Sequence, residues 1–321
     1  MRVAVTGAGG RLGTALVASL TGAPYVGEVL AWDLPEHDLD DPESAGRLVG
    51  RGRPDIVIHA AAWTDVDACA GDPQLAVRRN GTATGELAQA CAANGTALIM
   101  VSTNEVFDGL RTDGRPYAPT DEPNPGNAYG AAKLAGERLA RAAFWATGHD
   151  FAAAALLPPD GRDATIPALA IVRTAWLFGP PGPDFPQKIM AAADRAASEN
   201  RTLDLVADEI GCPTYAADLA MAIASLVQLA GKHGRNVLGG IHHIVNTGHA
   251  SRADWAREVL RLTGSTVPTR DVPLSTWPRP STPPRWGVLE PTPLPGGPLR
   301  DWQSALAEYL TTHGRRQEPS R

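Results

Sequence analysis

Short apolar runs alternate with longer stretches of helical periodicity through the first half of the chain. The strand-like run Arg2–Thr6 leads into a Gly-rich loop at 7–13 and a helix to about residue 20, which is a β-loop-α unit. Further buried strands are predicted at Val29–Asp33, Asp55–His59, Ala97–Ser102 and Leu169–Arg173, with helices at about 41–50, Pro73–Asn94, Tyr129–Ala142 and Asp184–Asn200. Continuous apolar strands separated by amphipathic helices predict an α/β, doubly wound parallel sheet covered on both faces. No internal repeat is found.

Three stretches depart from this rhythm. Leu110–Pro125, rich in Pro, Gly, Asp and Thr, reads as a surface loop leading into the Tyr129 helix. Thr147–Ile166 contains an Ala run and Pro158-Pro159-Asp160-Gly161, and reads as an exposed, mobile insertion. The Pro-rich segment 265–298, with Trp and Arg between its prolines, suits an irregular pocket wall or a loop packed on the surface. With 321 residues the chain can bury a substantial core in two lobes. A net charge of −6 and no block of Lys or Arg give no footprint for nucleic acid or an anionic membrane. Cys69, Cys91 and Cys212 are odd in number and widely spaced, which suggests buried thiols rather than disulfides or a zinc site. The chain passes from Met1 straight into a strand and has no apolar run of membrane-spanning length, so a cytoplasmic protein is expected.

Gly7, Gly10 and Gly13 recur every three residues between the first strand and helix. The first would make the turn, the second admit a pyrophosphate to the backbone, and the third let the helix pack closely. This is a dinucleotide-binding arrangement, and NADH or NADPH is the expected cofactor. Asp33, about 20 residues on, can accept hydrogen bonds from ribose hydroxyls and would repel a 2′-phosphate. That leans toward NADH, although Arg11 in the loop could offset the repulsion. After the third strand, His59-Ala60-Ala61-Ala62-Trp63-Thr64 offers small side chains against which a dinucleotide can lie. The expected division is a Rossmann-type NAD(P)-binding domain at 1–178, to which 214–238 returns. A smaller C-terminal substrate-binding lobe comprises 179–213 and 239–312, and a disordered tail 313–321.

Tyr129 and Lys133 lie one helical turn apart, on one face. A phenol of pKa roughly 10 is a poor acid at neutral pH, and an adjacent ammonium lowers that value. The pair is therefore a candidate proton donor and acceptor. Ser102-Thr103 ends the fourth strand, on the sheet edge where such folds place ligands, and a hydroxyl there can bond a substrate carbonyl.

Thr6–Gly13, Ser102-Thr103 and Tyr129 with Lys133 have the order and spacing of an extended short-chain dehydrogenase/reductase. The blocks His59–Asp67, Ser102–Gly109, Asn124–Gly130, Arg173–Gly179, Ile210–Leu219 and Asp301–Leu306 further resemble the dTDP-4-dehydrorhamnose reductase family over nearly the whole chain. The resemblance implies hydride transfer from a nicotinamide to the C4 ketone of a dTDP-linked 4-keto-6-deoxyhexose. It makes Tyr129 the proton donor. Lys133 holds the nicotinamide ribose and depresses the Tyr129 pKa, and Thr103 bonds the reacting oxygen. By the same matching, Gly7, Gly10, Arg11, Leu12, Gly13, Asp33, Asp38, Leu39, Ala62, Trp63 and Thr64 lie on the cofactor side. Trp176 contacts the nucleotide sugar, and a homodimer stays open as an assembly.

Where the family usually reads Ser-Thr-Asp-Tyr-Val-Phe, this chain has Ser102-Thr103-Asn104-Glu105-Val106-Phe107. Asn104 lacks a carboxylate and Glu105 replaces a large phenol with a flexible acid, so both bear on the substrate side and on which hexulose fits. A 4-ketoreductase for another dTDP-deoxysugar of natural-product biosynthesis is the alternative. An epimerase or dehydratase, or a non-catalytic regulatory subunit on the same fold, are the readings from other classes. His242-His243 reads as a structural strand, since adjacent strand residues point to opposite faces. Asp40-Asp41 and Asp208-Glu209 read as solvated turns, and no metal site is expected.

Overall fold

The computed structural model describes residues 1–146 and 168–313. Six strands form the central sheet: β1 (Arg2–Thr6), β2 (Glu28–Trp32), β3 (Ile56–His59), β4 (Ala97–Thr103), β5 (Leu169–Thr174) and β6 (Gly240–His243). Their order is β6-β5-β4-β3-β1-β2 and every pairing is parallel. The chain thus steps from β1 outward to β2, then crosses back to lay β3 on the other side of β1. That reversal opens a crevice beyond the carboxyl ends of β1 and β3.

Strand alternation sends the two faces of the sheet into two cores. Val3, Val5, Ile56, Ile58, Ile99 and Val172 pack against Leu12, Leu16 and Leu20 of the helix Arg11–Leu20 and against Leu219, Ile223 and Val227 of the helix Ala216–His233. On the other face, Ala4, Val57, Leu98, Met100 and Ile171 meet Val49, Leu87, Cys91, Ala140 and Phe144. The doubly wound α/β fold follows from this two-sided burial. His242 and His243, at the edge of that sheet, are fully buried. The sequence division placed everything from 239 in the smaller lobe, but β6 pairs in register with β5. The sequence marks a strand at His242-His243, but which sheet it joins is set by pairing with the distant β5.

One predicted helix is differently built. Pro73–Asn94 is two helices, Pro73–Ala76 and Ala83–Ala93, joined by a widened π turn over Val77–Thr82. Close packing accompanies the turn: a Cβ at Gly136 of the helix Ala128–Trp145 would stand 2.6 Å from the Asn80 carbonyl. Asp184 caps the helix Phe185–Ser198 by accepting the Gln187 N–H (3.0 Å). That helix, Arg252–Thr263 and Trp302–His313 surround an aromatic cluster of Phe178, Tyr215, Trp255, Trp302 and Tyr309. The expected insertion at Thr147–Ile166 and the tail beyond His313 lie outside the described residues, except that residue 313 ends the last helix. No described helix is long and apolar enough to cross a membrane.

Candidate active site

The Gly-rich loop sits at the crevice between β1 and β3. Gly7 has φ +64°, and a Cβ there would lie 2.8 Å from the Ala61 Cα, so the loop touches the turn after β3 backbone to backbone. The Thr6 hydroxyl accepts the Ala61 N–H (3.2 Å) and meets His59 Nδ1 (2.8 Å), while His59 Nε2 meets Thr84 (3.0 Å). Burial first, and the charge of Lys133 second, push the His59 imidazole down to about 3, so it is a neutral cross-brace. Gly10 caps the helix Arg11–Leu20 with no side chain over its first N–H groups, and the first turn carries no acid. Such an end attracts an anion.

A cleft of about 400 Å³ opens here, lined by Gly7, Gly10, Asp33, Asp38, Leu39, Ala62 and Trp63 among others. Its walls are held by the widened turn. Arg78 donates to the carbonyls of Leu39 (3.2 Å) and Asp40 (2.9 Å), and Arg79 pairs with the Asp40 carboxylate (2.8 Å). Asn80 clamps Trp63 from both sides, accepting its N–H (2.8 Å) and donating to its carbonyl (2.9 Å). These residues were not singled out in the sequence, because a π turn carries no periodicity to betray it. Such turns recur at functional sites. The glycine cradle and the open helix end fit a dinucleotide pyrophosphate, and Asp33 at the end of β2 fits a ribose. Asp33 accepts N–H bonds from Gly9 (2.5 Å) and Leu34 (3.0 Å).

Four of the expected cofactor residues lend no side chain to the cleft. Arg11 reaches away from Asp33, to the carbonyls of Gly179, Pro181 and Pro183, so it does not offset the Asp33 charge. Leu12 is in the core, Gly13 lies under the loop where a Cβ would strike the Gly7 carbonyl, and Thr64 is exposed outside the cleft lining.

Thr103 and Tyr129 come together at the end of β4, where the Thr103 hydroxyl lies close enough to the phenol to ease its ionisation. The two hydroxyls closing β4 part company as strand alternation requires. Ser102 turns inward and donates to Glu137 (2.6 Å), leaving Thr103 on the site side. Asn127 caps the Tyr129 helix by accepting the Gly130 N–H (2.8 Å). Tyr129, Lys133 and Glu137 then follow at successive turns, all buried. Glu137 forms a bidentate pair with buried Arg173 (3.0 and 2.7 Å). Together with Ser102, this pair locks the helix to β4 and β5. Glu137 extends the four-residue spacing of Tyr129 and Lys133, which was the signal for it.

Burial drives the Lys133 ammonium down to about 8, against the opposing attraction of Glu137. Tyr129 is pushed well above its ordinary value by burial, then by the charges of Glu105 and Cys69, with the Thr103 hydrogen bond pulling the other way. The expected depression of the phenol by Lys133 is therefore reversed here, since desolvation outweighs any help from the ammonium.

On the substrate side, Asn104 is buried against Gly287, and Glu105 accepts the Asn127 amide N–H (2.7 Å). Trp176, at φ +43°, is stacked on Trp255 (5.7 Å) and carries the Arg252 guanidinium over its ring (3.6 Å). Arg252 also pairs with buried Glu209 (2.8 Å). With Phe185, Leu274, Trp277 and Arg279 these two line a second cleft of about 440 Å³. The Pro-rich segment is thus a pocket wall, tied down where Arg279 pairs with Asp67 (3.0 Å). Trp176 supports this cleft through Arg252 rather than lining it.

Comparison with known proteins agrees with this geometry. The sequence model of one family, the RmlD substrate binding domain, matches residues 1–147 and 162–314. The chain is similar to a dTDP-4-dehydrorhamnose reductase of Mycobacterium tuberculosis, 38% identical over 96% of this chain and 92% of that one. It is 36% identical to a dTDP-4-keto-6-deoxy-D-glucose reductase of Streptomyces niveus, over 95% and 94%. Among solved structures, a dTDP-4-dehydrorhamnose reductase from Bacillus anthracis in complex with NADP superimposes with TM-score 0.80 at 27% identity, covering 97% of this chain and 99% of that one.

Proposed function

The chain belongs to the RmlD substrate binding domain family, and from that premise we propose that it reduces the C4 ketone of a dTDP-linked 4-keto-6-deoxyhexose at the expense of NADH or NADPH. The observation that carries this reading is the buried convergence of Thr103, Tyr129 and Lys133 beside a glycine-lined dinucleotide cleft. The cofactor supplies the hydride. Gly7 and Gly10 present backbone to its pyrophosphate, Asp33 takes the adenosine ribose, and Lys133 the nicotinamide ribose. Tyr129 delivers its proton to the carbonyl oxygen, which Thr103 also bonds, so the developing alkoxide never carries a full charge. Burial that raises the phenol's proton affinity keeps that proton in place until the ketone needs it.

Asp33 with no offsetting Arg11 favours NADH. A carbonyl side built with Asn104 and Glu105 leaves open to assay which dTDP-hexulose is turned over, including the one named for the Streptomyces niveus relative. A soluble nucleotide sugar as substrate is in keeping with a cytoplasmic enzyme. The deciding experiment follows NADH and NADPH oxidation across a panel of dTDP-4-keto-6-deoxyhexoses. Stoichiometric loss of reduced cofactor with at least one sugar, faster with NADH, is expected. Sugar interconversion without net cofactor loss would replace the reading with an epimerase or dehydratase.

A further inference from the structure

Glu105 lies against the first turn of the Tyr129 helix so closely that a Cβ on Gly130 would collide with its carbonyl. Its backbone N–H donates to Thr103 Oγ1 (3.2 Å), the hydroxyl that lies by the phenol, and its carboxylate accepts from Asn127, the residue capping that helix (2.7 Å). Glu105 is therefore fastened at both ends to the groups that place Tyr129. Where the family pattern has a neutral phenol, this chain sets an acid.

The titratable groups that face Glu105 are the neutral Tyr129 phenol from its helix and the neutral Cys69 thiol from the helix Val66–Gly71, with the charged Glu209 before the strand Ile210–Gly211, Arg252 from its helix and Arg279 from the Pro-rich wall. Burial is the largest influence and, with Glu209, holds the Glu105 carboxyl above its ordinary value, while the Asn127 hydrogen bond, Arg252 and Arg279 pull it back toward the ionised form. Two neighbouring acids of this kind resist ionising together, so in the resting site the charge lies on Glu105, the stronger acid, and Tyr129 keeps its proton.

We propose that Glu105 is a positioning residue for proton transfer: its carboxylate, held beside Tyr129 by Asn127, keeps the phenol in its neutral, proton-carrying form and so extends carbonyl reduction to higher pH. The proposal deepens the reductase reading and rests on it. The acid stays on Glu105 as carboxylate throughout, and the proton delivered to the alkoxide is the phenol's, replaced afterwards from solvent.

The test compares the parent with Glu105→Gln, which keeps shape and hydrogen-bonding reach, and Glu105→Asp, which keeps charge. Two readouts are taken: the pH profile of kcat for ketone reduction, and the tyrosinate absorbance of the NADH-bound protein titrated against Tyr129→Phe as blank. In Glu105→Gln the alkaline limb of kcat and the tyrosinate band are expected to move to lower pH by on the order of one unit, with Glu105→Asp restoring most of the shift. An unmoved limb and band in Glu105→Gln, with only a higher KM for the sugar nucleotide, would overturn the proposal and leave Glu105 a plain substrate contact. The absorbance readout needs no substrate, so it separates the two claims. A parent that reduces no 4-keto sugar yet shows the shifted band sinks the reductase reading and keeps the coupling. An active parent with an unshifted band does the opposite. Unfolding curves of each variant exclude loss of fold as the cause.

Discussion

Around the Gly7 loop the walls are backbone and small side chains, with Ala61 almost touching the glycine, whereas around Tyr129 stand the buried Thr103, Lys133, Glu137 and Arg173 and the half-buried Glu105 and Asn127. The first region recognises by shape. At Gly7 it has a geometry that favours glycine, and it offers backbone N–H groups at the open helix end beside the Asp33 carboxylate. The second recognises by charge balance. There each group's protonation depends on several neighbours from separate elements, so one exchange such as Glu105 for a phenol changes the chemistry without changing the fold.

The sharpest way to divide the two regions is to remove the reacting proton. Tyr129→Phe keeps the ring packed against Trp63, Val66 and Cys69 but deletes the acid. Turnover is expected to fall by about 10²–10⁴, the usual worth of a positioned general acid. The dissociation constant for NADH should stay within about two-fold, because nothing in the glycine cradle moves. Pre-steady-state rates and fluorescence titration of NADH measure the two quantities, and equal losses in both would dissolve the separation.

The reverse experiment strikes the shape-built side. Gly7→Ala puts a Cβ on a residue at φ +64° and 2.8 Å from the Ala61 backbone. A left-handed conformation costs an L residue about 1–2 kcal/mol even without the clash. Affinity for NADH should therefore weaken by about ten-fold or more, while kcat at saturating cofactor changes little. A lower kcat with unaltered NADH affinity would show that the loop serves the carbonyl side instead.

This contrast also explains what could be read from the chain. The glycine spacing, the apolar strands and the Tyr129–Lys133 interval are local, and each appears in the structure where periodicity put it. Three things were not local. β6 reads as a strand at its two histidines, but its place beside β5 in the central sheet depends on a pairing with residues about 70 positions away. The π turn at Val77–Thr82 holds both walls of the cleft through Arg78, Arg79 and Asn80, yet reads as ordinary helix. Arg11, adjacent to the loop in sequence, spends its guanidinium on the Gly179–Pro183 carbonyls, 168 to 172 positions away. Charge is the hardest to read of all. The spacing of Tyr129 and Lys133 suggested a lowered phenol pKa, and the burial that brings them together raises it.

Lys133 offers the smallest but most exact probe of that burial. Its pKa falls from 10.5 to about 8 in the folded chain because desolvation disfavours the ammonium. An unfolded chain therefore binds a proton on this lysine between about pH 8 and 10.5 that the folded one has released. Wherever the unfolded state binds more protons, stability rises with pH, so the penalty that burying Lys133 imposes below about pH 8 is relieved progressively across that window. Tyr129 and the buried thiols pull the other way at the alkaline end, so the quantity to measure is the difference between the parent and Lys133→Met. Denaturant midpoints of the two are expected to converge or cross in the parent's favour as pH is raised from 7 to 10. A parallel pair of curves would mean that the ammonium is solvated in the apo protein. The carbonyl side would then owe its charge balance to Glu105, Asn127 and the bound cofactor rather than to burial.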